Sequence, residues 1–389
     1  MHGPRARRAS DQAPGERRTV YILCPGSAES AGGVGRAMSY VIAHWAGRAD
    51  APRVVYVDTR GPYHIAFSPV FFLLALSRVV GAALRGRTAI LHVNVSNRGS
   101  ALRKFIVVAL ASSLGLRMVL QSHDGSLDRS YPHMPRLARA AMRWMFGRAH
   151  RVVVLGEYWK RYFVRHLGVP SNKIEVVCNG VPPPPEPLVR PAPDGTARLL
   201  YLGRLSATKG VPELLDALAS GRLARLDWRA TLAGDGDREA YRAEAEARGL
   251  GGRLEFPGWL DTPGVERSLR RADILVLPSH FEGLPMAVLE ALAHAVPVVC
   301  TPVGALPDYL QDGRSALFVE PGDAAALADA LGLLIESPGL RAKLAAGGRE
   351  AFLTHFDVAA TARRFERLYR DVGASPDPPP AVRASRNEV

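Results

Sequence analysis

Two short stretches carry residue types that could do chemistry. The first reads "LGRLSATKG", with Arg204 and, five residues on, Lys209 in the loop behind an apolar β-rich run. Two cations at the carboxyl end of a strand suit a diphosphate, the guanidinium as a planar fork and the ammonium as a point charge. The alternative is a pair of ordinary surface-loop cations. The second stretch, residues 280 to 300, reads "HFEGLPMAVLEALAHAVPVVC". It places Glu282 in the loop after "ADILVLPS" and Glu290 inside an apolar helical segment. Pro285 suits the first helical position. The unbonded amides of roughly Leu284 to Ala287 then point beyond the strand end, where the helix dipole favours a phosphate. A carboxylate is a pure acceptor, so each glutamate is suited to sugar or ribose hydroxyls. A solvent-facing position is the alternative for Glu290, but Val288, Leu289, Ala291 and Leu292 leave little polar face.

A third candidate is "PGSAESAGGVGRAMSY", where Gly32, Gly33 and Gly35 sit between a strand and a helix start. Backbone amides there can approach an anion closely; a tight turn that needs glycine is the competing reading. The spacing is not G-x-G-x-x-G. Asp58 ends the second strand but is not framed for a ribose, which argues against a dinucleotide site.

The elements that must position these residues follow a regular rhythm. Strands are expected at 19–24, 53–58, 88–95, 117–122, 151–156 and 173–180, with helices at 34–46, 69–84, 99–113, 134–147 and 157–167 between them. The run "VPPPPEP" breaks the pattern as a stiff linker. Strands resume at 197–205, 228–234, 253–258, 272–279, 296–302 and 315–320, and the chain finishes in helices at 323–335, 338–352 and 357–371. Apolar strands alternating with helices give a parallel sheet covered on both faces. The fold class is therefore α/β, with two doubly wound, Rossmann-like domains facing each other across a cleft. The expected boundaries are a disordered basic N-terminus (1–17), an N-terminal domain (18–181), a linker (182–196) and a C-terminal domain (197–356). A helix (357–372) packing back on the N-terminal domain and a disordered tail (373–389) complete the chain.

A chain of 389 residues with 47% apolar content is long enough for two cores. Cys24, Cys178 and Cys300 are sparse, far apart and embedded in apolar runs, so they read as free buried thiols in a reducing compartment. No signal peptide is visible. The stretch 65–84 is interrupted by Pro69 and Arg78 and is too short to span a bilayer. The net charge of +13 favours anionic partners, or simply reflects Arg-rich composition. Nucleic acid is disfavoured, because no zinc-finger spacing, basic-region helix or aromatic-studded basic strand is present.

Taken together, "EGLPMAVLEA", "GGVGR", "CNGV", "GRLSATKG", "AGDGD", "FPGW" and "TPVGALPDYLQDGRSALFVEPGD" occur in an order that resembles retaining glycosyltransferase family 4, of the GT-B fold. The resemblance covers about 19–372. The N-terminal half is similar to bacterial exopolysaccharide glycosyltransferases.

The resemblance implies that the C-terminal domain binds a nucleotide sugar. Arg204 and Lys209 would hold its diphosphate, and Glu290 its ribose. The loop Glu282, Gly283, Leu284, Pro285, Met286 would hold sugar and phosphates, with Glu282 toward the sugar. Trp259 and Leu260 would border the base, and Gly33 would approach the diphosphate from the other domain. His123, at the end of the fourth strand, looks like the family's active-site histidine. The catalytic set implied is thus His123, Arg204, Lys209 and Glu282, acting with retention and without a metal or other cofactor.

The "DGD" of Asp235 to Asp237 is formally a metal motif of a different fold, but here it matches the family's G-x-G loop. Two departures are Asp308, where the family often has Glu, and Pro182, where Asp is usual. The expected acceptor is a glycan or a polyprenyl-diphosphate oligosaccharide at the cytoplasmic membrane face. Arg136, Arg139 and Arg143, with Met142, Met145 and Phe146 nearby, could rest on anionic lipid; an ordinary solvated face is the alternative. An epimerase or phosphorylase of the same fold, or a non-catalytic sugar-nucleotide-binding protein, are the rival readings.

Overall fold

Each half of the chain builds one parallel sheet from its apolar runs. The computed structural model describes residues 18–25, 32–61, 68–85, 89–96, 98–185, 188 and 195–374. The segments 1–17 and 375–389, and most of the expected linker, lie outside the described residues. The N-terminal sheet comprises β1 Thr19–Cys24, β2 Arg53–Asp58, β3 Ala89–Val95, β4 Arg117–Ser122, β5 Arg151–Val154 and β6 Ile174–Val176, in the order β2-β1-β3-β4-β5-β6. The C-terminal sheet comprises β7 Ala197–Leu202, β8 Trp228–Ala233, β9 Leu254–Gly258, β10 Ile274–Leu277, β11 Val298–Cys300 and β12 Leu317–Phe318, in the order β12-β11-β10-β7-β8-β9. Strands covered on both faces are mostly apolar; every residue of β3 and β4 is buried, and their polar members His92, Asn94, Arg117 and Gln121 are hydrogen-bonded.

The strand orders decide where a ligand can enter. In each sheet the order reverses at the first strand, between β1 and β3 and between β7 and β10. The connections leave in opposite directions there, and a crevice opens beyond the carboxyl ends. The glycine-rich turn and the start of helix Gly33–Trp45 follow β1. Arg204 and Lys209 follow β7, and Glu282 follows β10.

The two sheets are tied by the end of the chain. Helix Val358–Ala374 buries Phe365, Tyr369 and Val372 against the N-terminal sheet. Val181 and its neighbours pair with this crossing, through Val181 N–H to the Phe356 carbonyl at 2.8 Å and Val358 N–H to the Val181 carbonyl at 3.0 Å. The Arg117 guanidinium donates to the Gly373 carbonyl at 2.7 Å. Fully buried His92 on β3 lies 2.6 Å from the Tyr369 hydroxyl and 2.9 Å from Gln121 Oε1. The helix runs to Ala374, a little past the boundary read from sequence.

Several expectations are corrected. The strand expected over 173–180 stops at Val176, because the following residues turn to the other domain. There the Cys178 thiol donates to the His355 carbonyl at 3.0 Å, and the Asn179 amide donates to the Leu284 carbonyl at 3.1 Å. The helix expected from 134 begins at Arg136, with Pro135 as its cap. Met142, Met145 and Phe146 are not surface companions of Arg136 and Arg143. Their spacing places them on one stripe facing the core, and Phe146 packs edge-on against Phe163 at 4.8 Å. The exposed apolar residues of that helix are Leu137 and Trp144. Nearby, helix Ser68–Ala83 exposes Val70, Leu73, Leu74 and Val80, and helix Arg98–Ser113 exposes Leu102 and Ile106. No described helix is long and apolar enough to cross a membrane.

Two histidines are locked into this architecture as neutral rings. Burial pushes His92 down from 6.5 to about 4 and His123 down to about 3, where the nearby His92 adds to the effect. The unfolded chain gains these protons below pH 6.5 and the folded chain does not, so unfolding is favoured as pH falls. The contribution of these rings is full above pH 6.5 and is lost as pH falls toward about 4 for His92 and about 3 for His123. We expect the melting temperature to drop across that window and the slope to flatten in His92→Gln; an unchanged slope by scanning calorimetry would contradict it.

Candidate active site

The crevices of the two sheets face each other and merge into one cleft of about 890 Å³. On the C-terminal wall, β7 ends at Leu202 and releases Gly203, Arg204 and the short turn Ala207–Lys209. Lys209 Nζ donates to Glu282 Oε1 at 2.6 Å, and the Ser279 hydroxyl donates to the same oxygen at 2.8 Å. Glu282 is thereby held by one group from each of the two loops that flank the switch point. Gly304, at φ 61°, lets the next loop pass beneath it: a Cβ there would sit 2.0 Å from the Glu282 carbonyl oxygen. Arg204 is freer. Its guanidinium lies 3.9 Å from Asp235 with both side chains more than half exposed, so this pair is weak.

Helix Met286–Ala293 begins one residue later than expected, with Pro285 as its cap. The first bond runs from Val288 N–H to the Pro285 carbonyl at 3.2 Å, leaving the Met286 and Ala287 amides ahead of it. The motif at 235–237 divides: Asp237 caps helix Arg238–Ala247 by accepting from Ala240 N–H at 3.3 Å, and Asp235 faces Arg204. Among the described residues no group of three or more His, Cys, Asp or Glu is placed to hold a metal ion.

The opposite wall is the start of helix Gly33–Trp45. Gly33 faces Met286 across the cleft. One turn on, Arg36 Nε lies 2.8 Å from Glu290 Oε1, and the Tyr40 hydroxyl donates to the same oxygen at 2.8 Å. Glu290 is therefore not a bare carboxylate in an apolar helix. It is a buried group joined to the other domain. Burial pushes its carboxyl up, and Arg36 and Tyr40 pull it back. Neither Arg36 nor Tyr40 has a role that can be read from the sequence. They sit i and i+4 on one helix, but their partner lies 250 residues away, and no local pattern announces it.

His123 follows β4 and donates from Nε2 to Asn94 Oδ1 at 2.8 Å. The Asn94 amide nitrogen faces the Leu23 carbonyl and the Cys24 sulfur, so Oδ1 is the acceptor. That fixes the proton on Nε2 and leaves Nδ1 as an acceptor. A neutral ring of this kind can accept from a hydroxyl; it is not a cation for a diphosphate. Trp259 and Leu260 lie at the rim. Gly33, His123, Arg204, Lys209, Trp259, Leu260, Glu282, Gly283, Leu284, Pro285, Met286 and Glu290 all line this single cleft.

The departure at Asp308 has a structural use. Its Oδ2 accepts from Tyr158 N–H at 2.8 Å, across the domain boundary. The walls also touch at Gly125, where an added Cβ would lie 2.1 Å from the Gly283 nitrogen. Gly125→Ala must push the walls apart, so small-angle scattering should show a larger radius of gyration; an unchanged radius would contradict this packing. Arg36→Leu leaves Glu290 buried without its ion partner and should cost about 3 kcal/mol in denaturant unfolding. Tyr40→Phe should cost about 1 kcal/mol.

Comparison with known proteins places this geometry. Residues 19–183 match the family model "Glycosyltransferase Family 4", and residues 188–351 match "Glycosyl transferases group 1". The chain is 26% identical over 277 residues to a glycogen synthase of Mycobacterium tuberculosis, covering 71% of this chain and 66% of that protein. It is 35% identical over 179 residues to a phosphatidyl-myo-inositol mannosyltransferase of Mycobacterium leprae, covering 46% and 47%. The matches therefore span about two thirds of the first relative and about half of the second. Among solved structures, Anabaena HepE in complex with UDP and glucose superposes with a TM-score of 0.70 at 18% identity, covering 91% of this chain and 100% of that one. Sucrose-phosphate synthase from Thermosynechococcus elongatus superposes at 0.75 and 19% identity, covering 92% and 100%. Motifs, family models and fold agree: the chain belongs to glycosyltransferase family 4 and has the GT-B fold.

Proposed function

We propose that this protein is a retaining, metal-independent hexosyltransferase that moves a sugar from a nucleoside-diphosphate donor to a glycan acceptor. The observation that carries this is the convergence of Arg204, Lys209 and the Met286 and Ala287 amides on one switch-point crevice, with Glu282 held beside them. Two cations and a helix N-terminus stabilise a diphosphate as it leaves. Glu282 and neutral His123 offer acceptors for sugar hydroxyls. No carboxylate is fixed as a covalent nucleophile, so a front-face route fits: an oxygen of the leaving diphosphate takes the proton of the attacking acceptor hydroxyl. Glu290 binds the ribose, exchanging its contacts to Arg36 and Tyr40 for the diol as the domains adjust. Trp259 and Leu260 border the base.

Mannose from GDP-mannose is the preferred donor, supported by the mycobacterial relative named for mannosyl transfer. UDP-linked sugars are the second reading, supported by a neighbour solved with UDP. The preferred acceptor is a polyprenyl-diphosphate oligosaccharide presented at the cytoplasmic membrane face. The exposed Leu73, Leu74, Leu102 and Leu137, with Arg136 and Arg143 beside Leu137, support a surface that rests on lipid.

A panel of GDP- and UDP-sugars, assayed for transfer and donor hydrolysis with and without chelator, tests the reading; silence across the panel would sink it in favour of a binding protein. Arg204→Ala, Lys209→Ala and Glu282→Ala should each lower turnover by roughly 10²–10³ with the fold retained. Wild-type turnover in any of them removes that residue from the mechanism. Co-sedimentation should show binding to vesicles containing anionic lipid that weakens in Leu73→Asp and Leu137→Asp; binding independent of lipid charge would count against the membrane surface.

A further inference from the structure

Five cations of Lys and Arg type line the cleft, and three of them face carboxylates: Arg36 faces Glu290, Arg204 faces Asp235, and Lys209 faces Glu282. The remaining two, Arg60 and Arg103, stand on the N-terminal wall. Among the described residues neither guanidinium makes an ion pair, and Arg103 Nε is sealed from solvent with no hydrogen-bond partner. Their placement is built rather than incidental. Arg60 sits on the turn after β2, whose amides are fixed by Asp58: Oδ1 accepts from Arg60 N–H at 2.7 Å and from Gly61 N–H at 2.9 Å. Beneath that turn, fully buried Lys104 donates to the Thr59 hydroxyl at 2.8 Å. Burial pushes Lys104 down to about 7, with Arg103 adding repulsion. Burial and the charge of Arg60 likewise push Arg103 down, against the pull of Asp58.

Arg60, Arg103 and Lys104 are offset here by one carboxylate, Asp58, whose Oδ1 is already held by two turn amides; such an excess of like charge in a partly desolvated wall is unfavourable unless a ligand offsets it. The donor diphosphate is not that ligand, because the opposite wall already supplies its cations and helix amides. We propose that Arg60 and Arg103 form a subsite for an oxyanion carried by the acceptor, a phosphate or a carboxylate close to the accepting hydroxyl. Two guanidinium forks match the planar or tetrahedral oxygens of such a group. The proposal rests on the glycosyltransferase reading and adds to it the charge of the acceptor.

The test is calorimetric binding to the full chain in the presence of saturating UDP or GDP. The probes are octyl phosphate, octyl β-glucuronide and the neutral octyl β-glucoside. In the wild type a charged probe should bind roughly tenfold or more tightly than the neutral one. The preference should be lost in Arg60→Gln/Arg103→Gln and kept in Arg229→Gln, an exposed arginine outside the cleft. Arg60 is exposed, so Arg60→Gln alone preserves the fold and should already lose part of the preference. A stronger response to octyl phosphate points to a lipid or sugar phosphate; a stronger response to the glucuronide points to a uronate. Equal affinity for charged and neutral probes overturns the proposal. So does a preference that survives the double variant, or one abolished by nucleotide. Donor hydrolysis measured in parallel separates the two readings: no turnover with any donor defeats the enzymatic assignment, whereas the dependence on Arg60 and Arg103 is read from binding alone.

Discussion

A carboxylate buried in an apolar helix is the constraint on which the arrangement of this molecule turns. Glu290 is too deeply buried to remain charged alone, and a lone buried charge costs several kcal/mol. Its partners, Arg36 and Tyr40, belong to the other domain. Satisfying it therefore draws the start of helix Gly33–Trp45 up against helix Met286–Ala293. That contact sets the two strand-end crevices face to face. The close passage of Gly125 past Gly283, the Asn179 amide on the Leu284 carbonyl and the Asp308 cap on Tyr158 follow along the same seam.

The same economy of charge explains the cleft. The C-terminal wall carries cations that are already partly balanced: Lys209 by Glu282, and Arg204 more loosely by Asp235. Such pairs hold side chains in place while leaving the loosely paired guanidinium able to turn to a ligand. The other wall is different. Arg60 and Arg103 make no ion pair among the described residues, Asp58 offsets their charge only in part, and a buried lysine props the turn beneath them. One wall is thus prepared for an anion with its own positioning acid, and the other holds positive charge in excess.

Much of the fold could be read from the chain because doubly wound sheets demand it locally. Short β-rich runs such as "TVYILC" read as buried strands, and their alternation with helices leaves a parallel sheet covered on both faces as the solution. The residues lining the cleft were also legible. Strand ends, a proline before a helix and paired cations in a loop are all features of contiguous sequence. What was misread follows one rule. Met142, Met145 and Phe146 lie near arginines in sequence, which suggests a shared lipid-facing surface, but helical phase, not proximity, turns them inward, as the alternative of a solvated face over a core has it. The strand at 173–180 was drawn too long because "VVCNG" is apolar enough to be a strand, while its last residues are claimed by the other domain.

The sequence by itself determined the two sheets, the order of their elements and the identity of most groups at the strand ends, because hydrophobic periodicity and turn chemistry act over a few residues. Only the tertiary structure decided the pairings. It joined Glu290 to a helix 250 residues away, fixed the tautomer of His123 through Asn94, and gathered Arg60 and Arg103 on one wall with Asp58 offsetting them only in part. Those outcomes depend on how two domains close on each other, and electrostatic partners across a cleft leave no periodic trace in the chain.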